Sequence, residues 1–138
     1  MDNRIEAFGL TVSFKSKKGQ IHKAVNNISL SLSAGETLAV VGGSGSGKTT
    51  LLRTLAGLIK REKGTVILLG RDISVLSRDE LAKVRQKCGY IQQDPYGAIP
   101  PGLTALEAVC EPALIAGIKM ERTEIRKRAS ELLEEFGL

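Results

Sequence analysis

No stretch of the chain approaches the roughly 18 uninterrupted apolar residues that a membrane-crossing helix needs. The opening Met1-Asp2-Asn3-Arg4 lacks the basic-then-apolar layout of a secretory signal. Cysteine is scarce: Cys88 and Cys110 stand 22 positions apart with no C-x-x-C spacing. That pattern suits two structural thiols in a reducing compartment rather than a disulfide framework. Aromatic residues make up 4% of the chain and do not interleave with its basic residues, so the signature of a nucleic-acid stacking surface is weak. Histidine is present once, as His22.

What remains is ordinary globular composition: 138 residues, 42% hydrophobic and 25% charged. Such a chain can bury a real core as one domain, and it is neither disordered, collagenous nor membrane-embedded. Twenty Lys and Arg against fifteen Asp and Glu give a net charge of +5, and the excess is local. Lys15, Lys17, Lys18 and Lys23 form one cluster, and Arg53, Lys60, Arg61 and Lys63 against Glu62 form another. The first reads as a solvated turn between strands, with binding of an anionic surface as the alternative.

The order of elements follows from periodicity and breakers. Residues 5–14 alternate loosely and are rich in β-formers, which predicts a strand, and Lys15 to Gln20 is a polar break. Ile28 to Ser33 alternates strictly, as a strand with one wet face does, antiparallel to the first. After a turn at Ala34-Gly35-Glu36, the run Thr37 to Val41 predicts a strand buried on both faces. Lys48 to Leu58 reads as a helix, Gly64 to Leu69 as a strand, and Cys88 to Gln92 as another buried strand broken at Asp94-Pro95. Two capping boxes, Ser77 with Glu80 and Thr104 with Glu107, predict helix starts. Pro112 is expected to kink or end the second of these helices. Ile125, Ala129, Leu132, Leu133 and Phe136 form an amphipathic stripe suited to packing on a partner helix. The character changes near residue 94, which divides the chain into 1–93, a mixed strand and helix half, and 94–138, an all-helical tail.

Between the run ending at Val41 and the helix opening at Lys48 lies Gly42-Gly43-Ser44-Gly45-Ser46-Gly47-Lys48-Thr49, a match to G-x-x-x-x-G-K-[ST]. Strand before and helix after are the context that this motif requires. Glycines 42, 43, 45 and 47, with Ser44 and Ser46 between them, let the backbone close around a β-phosphate without Cβ clashes. The loop amides form a nest of donors, and the helix aims the positive end of its dipole at the same place. Lys48 adds a mobile charge for the β and γ oxygens. The Thr49 hydroxyl suits Mg²⁺, which prefers oxygen ligands, and Thr50 can donate to the α-phosphate.

Three features in sequence order, Phe14, the loop at 42–49 and Gln92-Gln93-Asp94-Pro95, make the chain resemble the nucleotide-binding subunit of ATP-binding-cassette transporters. Gln93-Asp94-Pro95-Tyr96 with Glu111-Pro112-Ala113-Leu114 looks most like the oligopeptide, dipeptide and nickel importer branch. The resemblance implies an α/β P-loop NTPase core with an N-terminal antiparallel β-subdomain and the start of a helical subdomain. It implies ATP and Mg²⁺ as cofactors. Phe14 then matches the aromatic that stacks on adenine, the alternative being a core aromatic. Gln93 matches the glutamine that reaches Mg²⁺ and the attacking water, the alternative being a polar strand end. Gln92 stands where the family usually has an aromatic or apolar residue. The implied partners are transmembrane permease subunits, a second cassette subunit in a homo- or heterodimer and, indirectly, a solute-binding protein, with no nucleic acid. The implied location is peripheral, on the cytoplasmic side of the membrane.

The chain also departs from the family. It contains no LSGGQ-type signature, no apolar run leading directly into Asp-Glu, and no histidine after the loop. His22 precedes the loop and reads as an exposed loop residue. The expectation is therefore an incomplete cassette, an N-terminal half that binds nucleotide but lacks the groups for hydrolysis in isolation. It is also expected to be marginally stable or to oligomerise. Two further readings are a nucleic-acid-acting cassette ATPase and a GTPase. For the second, Asp94-Pro95-Tyr96-Gly97 supplies D-x-x-G, but no N-K-x-D motif accompanies it.

Overall fold

The computed structural model describes residues 4–94 and 96–138. Met1, Asp2, Asn3 and Pro95, on which the N-terminal reading and the Asp94-Pro95 break partly rest, lie outside the described residues. The chain divides into two compact units, Met1–Gly89 and Tyr90–Leu138. Gln92 and Gln93 thus stand with the helical unit.

The first unit is built on a hairpin. Strand β1 (Ile5–Lys15) turns through the polar break and returns antiparallel as β2 (Ile21–Leu32). The Ser16 and Gly19 amides close that turn onto Gln20 and Ser16 carbonyls at 2.8 and 2.9 Å. β3 (Lys63–Leu68) pairs with the other edge of β1, and the two-residue β4 (Arg71–Asp72) completes an antiparallel sheet of order β2-β1-β3-β4. The loose alternation of β1 has a physical cause. The register slips between Ala7 and Leu10 and again before Val12. A bulge adds a residue and resets the alternation, so Ala7, Leu10 and Val12 are all buried. They form one core with Val25 of β2, Val66 of β3, and Leu51 and Leu55 of helix α1 (Lys48–Leu55). The phosphate-loop motif is thereby anchored: the helix that opens on it is bolted to the hairpin by its own leucines.

α1 ends three residues earlier than the leucine spacing suggests. Gly57 at φ 70° takes the left-handed conformation, its amide reaches the Thr54 carbonyl, and the Leu58 amide reaches Arg53 at 2.8 Å. This is a Schellman ending, and it leaves Leu58 outside the helix, 48% exposed. Helix α2 (Arg78–Arg85) starts at the expected capping box, with Ser77 and Glu80 bonded reciprocally. The Ser77 amide and hydroxyl, with Arg71 at 2.8 Å, hold the Glu80 carboxyl down at about 2.

Two expectations fail here. Thr37 to Val41 and Cys88 to Gln92 form no strand, and Val41 and Ile91 are 88% and 94% exposed. A central strand needs ladder partners along both edges and cover on both faces. Among the described residues no segment pairs with either run. His22 is exposed as expected, but it lies within β2 rather than in a loop.

In the second unit, a 3-10 turn at Tyr96–Ala98 leads to α3 (Ala105–Ile115) and α4 (Arg122–Glu135). Thr104 and Glu107 form the second capping box. Pro112 does not end α3. It sits inside the helix, which runs on to Ile115, and the Ala116 amide bonds the Pro112 carbonyl at 2.9 Å. One missing amide removes a single rung while packing on α4 holds the rest. Cys110, Ile125 and Ala129 are the buried contact, flanked by Leu106, Ala113 and Met120. The stripe on α4 is buried only in its first half: Leu132 and Phe136 are 48% and 80% exposed.

Candidate nucleotide-binding site

Residues 42–47 carry no regular structure and run straight into the first turn of α1. Gly47 is the N-cap and supplies no side chain to close the helix start, and the first turn carries no acidic residue. A helix leaves the amides of its first residues without intrahelical acceptors. Here Leu51 makes the first such bond, to the Gly47 carbonyl at 2.8 Å. The positive end of the α1 dipole therefore opens onto the loop uncompensated, an arrangement that favours an anion.

Gly47 is required by its surroundings. Its φ is 94°, and a Cβ there would fall 2.0 Å from the Ala24 carbonyl oxygen of β2. The hairpin lies directly against the loop. Lys48 folds back across it: Nζ donates to the Gly42 and Gly43 carbonyls, each at 2.7 Å, and approaches Ser46 Oγ at 3.4 Å. The ammonium is thus held among loop atoms, with no carboxylate paired to it among the described residues, and its charge is left for an incoming anion. Within the loop, the Ser46 amide reaches the Gly43 carbonyl at 3.3 Å, while Ser44 and Gly45 are exposed at its tip. Thr49 is exposed, and Thr50 is half-buried with its carbonyl taken by Thr54 Oγ at 2.7 Å. A hollow of about 450 Å³ separates Gly42, Ser46 and Lys48 from the Lys23–Asn26 stretch of β2.

Phe14 closes β1 opposite His22 and is 44% exposed. It is therefore not part of the core, and the same hairpin that braces Gly47 presents its ring. Gln93 is exposed in the second unit. Sequence reasoning missed the Lys23–Asn26 wall, because nothing local in that stretch reports that the hairpin register brings it beside Gly47.

In the first unit the exposed Thr49 hydroxyl offers an oxygen ligand of the kind Mg²⁺ prefers, while Gln93 belongs to the other unit. Among the described residues no group of three or more His, Cys, Asp or Glu comes together. Magnesium does not require such a cage, since it keeps waters and takes substrate phosphates as ligands. The donor-rich loop, the lysine and the open helix start fit a nucleotide phosphate tail.

A glycine loop braced by an antiparallel hairpin and opening onto an uncapped helix defines a partial α/β fold of the P-loop NTPase class. The chain belongs to the ABC transporter family, which it matches over residues 25–138. It is 36% identical over 142 aligned residues to the oligopeptide transport ATP-binding protein OppF of Salmonella typhimurium, covering 97% of this chain and 42% of that protein. A putative peptide import ATP-binding protein of Brucella ovis is 35% identical over 128 residues, covering 91% of this chain and 40% of that protein. Among solved structures, the ATP-binding cassette MJ0796, determined as a dimer bound to ADP and Pi, superposes with a TM-score of 0.83 at 34% identity. That match covers 94% of this chain and 56% of the cassette. The cbiO1 protein of Clostridium perfringens, part of the ABC transporter complex cbiONQ, gives 0.74 at 27% identity, covering 100% of this chain and 52% of that one. The chain thus spans less than half the length of the curated relatives it matches.

Proposed function

We propose that the chain is the ATP-binding portion of a cassette subunit that couples ATP binding and hydrolysis to peptide import. The observation that carries this reading is the Lys48 ammonium drawn to 2.7 Å from two loop carbonyls at the mouth of an uncapped helix. The peptide-import relatives support the choice of cargo over the nucleic-acid alternative. No helix among the described residues is long and apolar enough to cross a membrane. A peripheral subunit that works against permease partners and a second cassette is the arrangement we favour.

The residues divide the work. Amides of residues 43–50 and the Lys48 ammonium bind the phosphate tail, holding it at the dipole end of α1. Phe14 stacks on the base and fixes the nucleoside end. Thr49 would hold Mg²⁺, which would neutralise phosphate charge, and Gln93 is assigned to the same metal only by its match to the family's glutamine. Gln93 also orients the attacking water. Phosphoryl transfer is mostly positioning and electrostatics, and these 138 residues supply the cradle without a carboxylate following an apolar run to hold the metal or polarise the water. Hydrolysis on this reading belongs to the longer subunit, completed by a partner cassette, and the 138 residues alone bind nucleotide without turnover.

Replacing Phe14 tests the arrangement. Base stacking contributes about 1–3 kcal/mol, so Phe14→Ala is expected to weaken ATP and GTP binding alike, by roughly 5- to 150-fold. The ring is 44% exposed, so the unfolding midpoint is expected to hold. Unchanged affinity by calorimetric titration would remove Phe14 from the site. A large preference for GTP would favour the GTPase reading instead.

A further inference from the structure

The basic cluster at Lys60, Arg61 and Lys63 plays no part in the nucleotide site. The fold gives it a setting of its own. An open cavity of about 1090 Å³ lies between the end of α1, the start of β3 and helix α2, and Lys60, Arg61, Lys63, Arg78 and Arg85 line it against the single carboxylate of Glu62. Two of these cations are held in place by backbone. Arg61 Nε donates to the Gly64 carbonyl, with Asp72 at 4.0 Å, and an Arg85 Nη donates to the Gly57 carbonyl. Arg85 Nε is buried and has no hydrogen-bond partner. Lys60, Lys63 and Arg78 are exposed at the mouth, and among the described residues no carboxylate forms an ion pair with them.

We infer that this cavity, formed by α1, β3 and α2 around Lys60, Lys63, Arg78 and Arg85, is a second anion site, for a soluble molecule bearing several clustered phosphate groups. With Arg61 facing Asp72, four lining cations still stand against the one lining carboxylate, Glu62, and set the sign of the ligand. Concavity sets its size, since cavities of a few hundred to about a thousand Å³ hold small molecules, whereas an acidic protein would need no hollow. Arg78 and Arg85 both line the cavity, and guanidinium groups suit the fork geometry of phosphate oxygens. Lysines at the rim add mobile point charges. The site is independent of the loop at 42–49, which shares none of these residues.

Tripolyphosphate is the probe, titrated calorimetrically at about 0.15 M salt, where interactions of well-separated surface charges are screened. The Lys48→Ala chain removes the loop ammonium and is the starting protein. It is expected to bind tripolyphosphate, and adding Lys60→Gln, Lys63→Gln and Arg78→Gln is expected to weaken binding at least tenfold. These three side chains are exposed, so the melting profile is expected to be unchanged. As a check without charge removal at the cavity, tripolyphosphate is expected to slow acetylation of Lys60 and Lys63 in the Lys48→Ala chain. Absence of binding in that chain, equal binding after the three substitutions, or unprotected lysines would each overturn the inference. So would sedimentation with phosphatidylglycerol vesicles through the same residues without binding of the soluble probe.

Discussion

Lys48→Ala is expected to lower affinity for ATP at least tenfold while leaving the fold intact. The side chain spans the loop, with Nζ at 2.7 Å from the Gly42 and Gly43 carbonyls. Those carbonyls are neutral acceptors, so the full positive charge remains for phosphate oxygens. A charge-assisted hydrogen bond contributes about 1.5–3 kcal/mol, which is roughly a 10- to 150-fold change in dissociation constant. The stability side of the change is small. Lys48 is the first residue of α1, and alanine is the best helix former. Affinity and melting temperature are therefore expected to separate, which distinguishes a lost ligand contact from a disturbed loop. If the proposed function holds, uptake driven by the longer subunit is expected to fail with the same substitution. Equal ATP affinity in wild type and variant, measured by titration, would remove Lys48 from the phosphate site.

Gly47→Ala is expected to act on both stability and binding, and more severely. The residue sits at φ 94° with its would-be Cβ 2.0 Å from the Ala24 carbonyl oxygen. Left-handed backbone alone costs a non-glycine residue about 1–2 kcal/mol. The contact adds a clash that no rotamer relieves, because the obstructing atom is backbone in β2. Either the loop or the hairpin must move, and Leu51, one turn into α1, is buried in the hairpin core. A loss of more than about 2 kcal/mol in urea unfolding is expected, together with loss of ATP binding. Gly45→Ala is the comparison. Its φ is 76°, but nothing lies within 4 Å of the added Cβ, so it should bear the backbone cost alone. If the two variants unfold at the same denaturant concentration, the hairpin does not brace the loop as the structure has it.

The parts of the fold that could be read from sequence are those whose causes are local. The capping boxes at Ser77 and Thr104 depend on residues three apart, and both form. The glycine loop carries its own requirement for small residues and its own helix start. The hairpin follows from a polar break between two alternating runs, although the bulge that sends Ala7, Leu10 and Val12 to one face needs the register of the partner strand. What could not be read is whatever depends on distant partners. Thr37 to Val41 is apolar enough for a central strand, yet a strand exists only where another pairs with it. Pro112 is a breaker by its own chemistry, yet α3 runs through it under the packing of Cys110 on Ile125 and Ala129. The same limit applies to the sites. Lys60, Arg61 and Lys63 stand out as a charged run, but only the fold brings Arg78 and Arg85 to the same cavity. Likewise only the hairpin register brings Ala24 against Gly47.

The most direct test of nucleotide binding at the glycine loop is amide hydrogen exchange on the 138-residue chain with and without MgATP. Slowed exchange is expected at residues 43–50, where loop amides and the open turn of α1 meet the phosphates, and the effect should vanish in Lys48→Ala. Binding of MgATP with exchange at 43–50 unchanged, or with protection confined to another part of the chain, would contradict a phosphate site at this loop.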